Sequence, residues 1–201
     1  MAINGSILGQ QILGQFASKG FTGSQSANFA NAVGNGIVTN ILATNIYQGT
    51  TTGSMGAGVG TGKASGLIGP LVGLKIYDAM IGKGWSGSQQ LNMAMAVGEA
   101  FANHILAFGI VNSSPSPTLP PVAVGVGVGT ITGIVGATMG QSILSFFSSA
   151  GMTGSQIENT SKAIGSGIAE SMSAVIVNTV IVGVISPPPT PTVGAEIGKL
   201  T

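Results

Sequence analysis

Arginine and cysteine are both missing from the 201 residues, and charge of either sign is scarce: 6 Lys stand against 5 Asp and Glu, with 1 His. Without cysteine there are no disulfides, no thiolate zinc sites and no thiol catalysis, and the redox compartment goes unmarked. Without arginine, and with a net charge of +1, the chain lacks the usual means of gripping phosphates and reading guanine. Direct binding of nucleic acid is therefore not expected. Charged residues make up 5%, against about a quarter in an ordinary soluble domain. So little charge is a poor coat for a freely diffusing enzyme. The opening, MAINGSILGQ, has neither the basic n-region nor the compact apolar h-region of a secretory signal, so no signal peptide is expected.

Apolar residues and glycine fill the space that charge leaves. Hydrophobic residues reach 44%, and there are 34 Gly and 9 Pro. A chain of this hydropathy collapses in water rather than staying disordered.

The strongest signal is an internal repeat. Gly20-Phe21-Thr22-Gly23-Ser24-Gln25 returns as Gly84-Trp85-Ser86-Gly87-Ser88-Gln89, and again as Gly151-Met152-Thr153-Gly154-Ser155-Gln156. The same offsets align Gly9, Gly73 and Gly140, then Gly34, Gly98 and Gly165, and the apolar sets Ile12, Ile76, Ile143 and Phe16, Met80, Phe147. The sequence reads as a triplication with modules 1–64, 65–131 and 132–201. Met1, Ser65 and Thr132 are equivalent, and the chain stops where a fourth copy would begin.

Each hexapeptide reads as a tight turn between two helices. Apolar residues four apart precede it, as an amphipathic helix requires. Gly20, Gly84 and Gly151 stand where a left-handed C′ residue ends such a helix. Thr22, Ser86 and Thr153, each three residues before a Gln, are expected to form capping boxes for the next helix, and the large residue between the caps (Phe21, Trp85 or Met152) to pack against both. The spacing predicts helices over 6–19 and 23–44, 70–83 and 87–110, and 137–150 and 154–178. In each hairpin, glycines such as Gly9 and Gly34 face each other about 18 Å from the turn. Glycine costs roughly 1 kcal/mol in a helix, so its recurrence there predicts close backbone contact.

The fold class expected is mostly α: three tandem helical hairpins joined by long Gly/Val/Pro-rich connectors, about 45–66 and 111–133, with a tail from 186. The alternating Val and Gly of these connectors suit short edge strands. Extended, one connector would reach some 60–70 Å and strap a neighbouring subunit.

Chemistry is thin. Ala57-Gly58-Val59-Gly60-Thr61-Gly62-Lys63-Ala64 fails the P-loop pattern at both Ala57 and Ala64. His104 has neither a carboxylate nor a second histidine nearby in sequence, and its equivalents are Asn40 and Ser171. Asp78, Glu99, Glu158, Glu170 and Glu196 are scattered without metal-ligand spacing. Methionines such as Met93 and Met95 read as core filling. No catalytic, cofactor-binding or metal-ligating residue is expected, and no enzyme.

The function this predicts is structural. A chain with too few ionic groups to face solvent suits burial among copies of itself or other structural subunits. Virion proteins of tailed bacteriophages share this type of composition and duplication, by analogy alone. The alternative is a membrane-active, pore- or holin-like hairpin protein, since long uncharged stretches and small-residue spacing also suit lipid. Against that alternative, the apolar helical runs fall short of the roughly 20 residues a span needs.

Overall fold

The computed structural model of the chain describes residues 3–44, 46–54, 57–85, 87–115, 123–183 and 192–200. The chain is mostly helical with an antiparallel sheet. Helices α1 (Gly5–Ser18) and α2 (Ser24–Thr44) are followed by strands β1 (Ile46–Ser54) and β2 (Ala57–Ser65). Then come α3 (Gly69–Gly82), α4 (Gln90–Phe108), β3 (Ile110–Pro115) and β4 (Ala123–Thr132). The chain ends with α5 (Gly136–Ser149), α6 (Ser155–Ser173), β5 (Ile176–Gly183) and β6 (Thr192–Leu200).

The first helix of each pair buries one narrow stripe. In α1 it is Gly5, Leu8, Gly9, Ile12 and Phe16, and in α3 it is Gly69, Val72, Gly73, Ile76 and Met80. The spacing of three and four residues keeps each stripe on one face and leaves the opposite face to solvent. Asn4 starts α1 by accepting from the amide of Ser6 at 2.8 Å, and Pro70 sits in the first turn of α3, where its missing N–H does no harm. The second helices are buried more fully. In α4, Ala94, Val97, Ala100, Phe101 and Ile105 are all inside.

The turns within the helix pairs end the first helix as expected. Gly20, Gly84 and Gly151 have φ near +80° (81°, 75° and 77°). Phe21 N–H donates to Phe16 C=O and Gly20 N–H to Ala17 C=O, both at 3.0 Å, which is the paired bonding of a Schellman cap. The Phe21 and Phe16 rings meet edge to face at 5.6 Å, which supplies the apolar contact of that cap. The capping box expected at Thr153 does not form, and Ser86, expected to cap α4, lies outside the described residues. α6 begins at Ser155 behind Gly154, and α4 at Gln90 behind Gln89, and neither cap makes a side-chain bond. Gly154 also has positive φ, at 120°. The chain turns on two glycines in quick succession, and the second helix starts too late for the hydroxyl of Thr153 to reach its amides.

The facing glycines touch. A Cβ on Gly34 would stand 2.9 Å from Gly9 Cα, one on Gly98 2.6 Å from Gly73 Cα, and one on Gly165 2.7 Å from Gly140 Cα. The pairs then close into a ring in which α2 packs on α3, α4 on α5 and α6 on α1. Two of these seams are glycine contacts. A Cβ on Gly36 would meet the Ile76 backbone, and one on Gly167 would lie 2.6 Å from Ile12 Cα. In the sequence register of those two glycines, α4 carries the buried Ala100, and the α4–α5 seam is the sparsest of the three.

The connectors correct the expectation of extended straps. They fold back as hairpins, and the six strands pair antiparallel in chain order, with β1 also pairing β6 (Tyr47 opposite Gly198, Thr51 opposite Gly194). The result is a closed barrel, so the edge strands foreseen are paired rather than open. In the half of the barrel next to the helices, Gly60, Ala64, Val111, Ser113, Gly127, Gly129, Ile131 and Val177 are buried, while Thr61, Lys63, Asn112, Val128 and Thr130 alternate with them and are exposed. Eight strands give an interior just wide enough to fill with side chains. Six give a narrower one, and glycine at inward positions fits it. Ala64, Val111, Ile131 and Val177 join the helix core, making one continuous apolar interior. The Pro-rich stretches 116–121 and 187–189 lie outside the described residues.

Candidate functional site

The residues that sequence reading singled out for chemistry are dispersed. Gly58 to Lys63 lie within strand β2, paired on one side to β1 and, from Gly60, on the other to β3. A phosphate loop needs a strand-to-helix turn whose free amides converge on the ligand. Here the glycines are committed to a ladder. Lys63 points outward and donates to Ala107 C=O, near the end of α4, at 3.5 Å, where a cation opposes the helix dipole.

His104 is buried in α4, with neither ring nitrogen hydrogen-bonded. Its ring lies 4.9 Å from that of Phe108, one turn on. Burial pushes its pKa below the ordinary histidine value, because the charged form loses its hydration. A neutral imidazole with no acid to orient it and no open cleft is a core residue. Its sequence equivalents Asn40 and Ser171 are buried too.

The acids are equally separate. Asp78 is exposed on α3. Glu99 on α4 leans over Gly69, the first residue of α3, where negative charge favours a helix N-terminus. Glu158 pairs with Lys162 one turn along α6, and the lysine's hydrogen bond holds the carboxyl below its usual range. Glu170 accepts from Gln15 at 3.4 Å and so links α6 back to α1. Among the described residues no three metal-binding side chains come together. An open groove of about 440 Å³ runs between α1, α5 and α6 past Lys19, Gln141 and Lys162. It is an open cleft with one of its two cations already neutralised by Glu158.

What the surface does offer is apolar. Of the ten large hydrophobic residues left exposed among those described, seven fall between Ile68 and Ile110: Ile68, Leu71, Leu74, Ile81, Leu91, Phe108 and Ile110. Leu71, Leu74 and Ile81 share the outward face of α3, opposite its buried stripe. The matching positions are Ile7, Gln10 and Ala17 on α1 and Thr138, Gln141 and Ser148 on α5. Sequence reading missed this face because it sought what the aligned segments share. Comparing where they differ, Leu74 against Gln10 and Gln141, carries the signal.

No protein-family model, curated protein or solved structure matches the chain. No helix among the described residues is long and apolar enough to cross a membrane.

Proposed function

We propose that the chain is a structural subunit of a multi-subunit particle of the virion type, built from three copies of one helical-hairpin module (1–64, 65–131 and 132–201). No catalytic or cofactor-dependent role is proposed. The triplication is supported by the recurring hexapeptide, each copy of which ends a helix with the same glycine cap. The assembly role is carried by one observation: of the ten large apolar side chains exposed among the described residues, seven fall between Ile68 and Ile110, and three of these share the outward face of α3. Concentrated apolar surface of that kind marks an interaction site, and with charge at 5% little else keeps such a face apart in water. Assembly then proceeds through helix faces, since the strands that would have strapped a neighbour are already paired to one another.

Sedimentation and light scattering of the purified 19.7 kDa chain over a dilution series test this reading. An apparent mass that rises with concentration is the expected result. A monodisperse monomer at every concentration reached overturns it.

A further inference from the structure

The outward face of α3 holds more than leucine. Lys75 and Asp78 lie on it, among Leu71, Leu74 and Ile81, and both are exposed. They are the only charged residues in the helix. Three residues apart on one face they are neighbours, yet among the described residues the ion pair that forms is Lys162 with Glu158, on α6. Gly82, on the same face, has open space where a Cβ would be.

We infer that this face is a self-complementary contact, and that its partner is α3 of a second copy of the chain, running antiparallel across a twofold axis. A twofold contact brings residue i against residue j and, by symmetry, j against i. Set the axis midway between Ile76 and Tyr77, and three features of the face are satisfied in one register. Lys75 meets Asp78 of the second copy, and Asp78 meets its Lys75. Leu71 lies over the gap left by Gly82. Leu74 reaches the flank on which Ile81 stands. In that register no like charges meet. The other outer helices cannot form this contact, because α1 and α5 carry polar or small residues such as Gln10, Gly14, Gln141 and Ser145 at the matching places.

A 14-residue helix spans only about 21 Å, so the contact falls at or below the low end of specific interfaces. The dimer it makes is weak, with dissociation in the micromolar range, and a larger particle needs further faces. The inference rests on the assembly reading and names one of its contacts.

Charge reversal separates the two. Lys75→Asp and Asp78→Lys are surface changes whose folding circular dichroism verifies. Each alone places like charges across the axis twice, and about a tenfold or greater loss of dimer is expected. Mixed in equal amounts the two variants become complementary and form a heterodimer. The double variant Lys75→Asp/Asp78→Lys restores the homodimer, and Leu74→Gln abolishes it. Sedimentation equilibrium reads all five samples against the native chain. Oligomers that persist unchanged in the single variants, or a mixture that fails to recover, overturn this contact and leave assembly through another face standing. A native chain that is monomeric throughout removes both.

Discussion

At the scale of the residue, glycine has two opposite meanings in this molecule, and substitution tells them apart. Gly98 lies in α4 with the backbone of Gly73 pressed against it, so a methyl group there has nowhere to go. Ala improves helix propensity by roughly 1 kcal/mol, but overpacking against backbone that cannot swing aside costs about 1–3 kcal/mol. Gly98→Ala is therefore expected to lower stability in urea or heat. Gly14, in α1, is exposed and meets nothing within 4 Å. Gly14→Ala should raise stability by up to about 1 kcal/mol. The opposite signs are the test; equal signs would mean that the close approach between the helices is not what retains Gly98. His104 makes a second prediction. Its pKa is lowered in the folded chain by burial, so the unfolded chain takes up the proton more readily. Stability is then fully present above the ordinary histidine pKa near 6.5 and is lost as pH falls below it toward the folded value. His104→Asn, which installs the residue found at position 40, should flatten that slope in thermal melts taken between neutral and mildly acid pH. A native chain whose melting point is level across that interval would contradict it.

At the scale of the element, the hairpins are held to one another by seams of different chemistry. Beside the α2–α3 glycine contact runs an aromatic chain: Phe29 of α2 stacks on Phe16 of α1 at 6.0 Å within its own pair, and on Trp85, in the turn after α3, at 5.3 Å across to the next. The sequence equivalents of Phe29 are Met93 and Thr160, so neither of the other seams repeats it. A double-mutant cycle on Phe29→Leu and Trp85→Leu should return a coupling of about 0.5–1.5 kcal/mol. Additive losses would show that the two rings share space without supporting each other. Much of this layer was readable in the chain itself. The helices, their boundaries to within three residues except at the end of α6, the glycine caps and the facing glycine pairs all follow from local periodicity and from what glycine costs in a helix. The capping box at Thr153 did not follow, because a hydroxyl pattern says which bond is possible, not whether a second glycine has already carried the backbone out of reach. The outward face of α3 was equally present in the letters, but in the disagreement between the aligned segments. The candidate site was thus legible only in part: the positions of His104 and the scattered acids were read from the chain, the apolar face of α3 was not.

At the scale of the whole molecule, closure is the feature that local pattern could not announce. The two-residue alternation of Gly58 to Gly62 and Gly125 to Gly129 marks strands, but nothing in it says that β1 will find β6, some 150 residues away. That pairing is decided by the helical ring, which brings α6 back to α1 through Gly167 and through Gln15 with Glu170 and so sets the last connector beside the first. Barrel closure therefore depends on helix packing, and the last strand is where that dependence can be cut. Removing residues 192–201 leaves the helical ring intact but strips the partner from one side of β1 and from one side of β5 at once. The two exposed edges are too far apart to pair without the missing strand between them, and rows of unpaired amides and carbonyls recruit strands from other chains. The truncated chain is expected to keep its helical circular dichroism while forming large aggregates through its strands, detected by light scattering and by dye binding specific for stacked sheets. Hydrogen exchange should show β1 and β5 losing protection together while α2 and α4 keep theirs. If β1 and β5 stay protected and the truncated chain is no more prone to aggregate than the full one, then the barrel does not owe its edges to closure, and the ring of helices alone holds the strands in place.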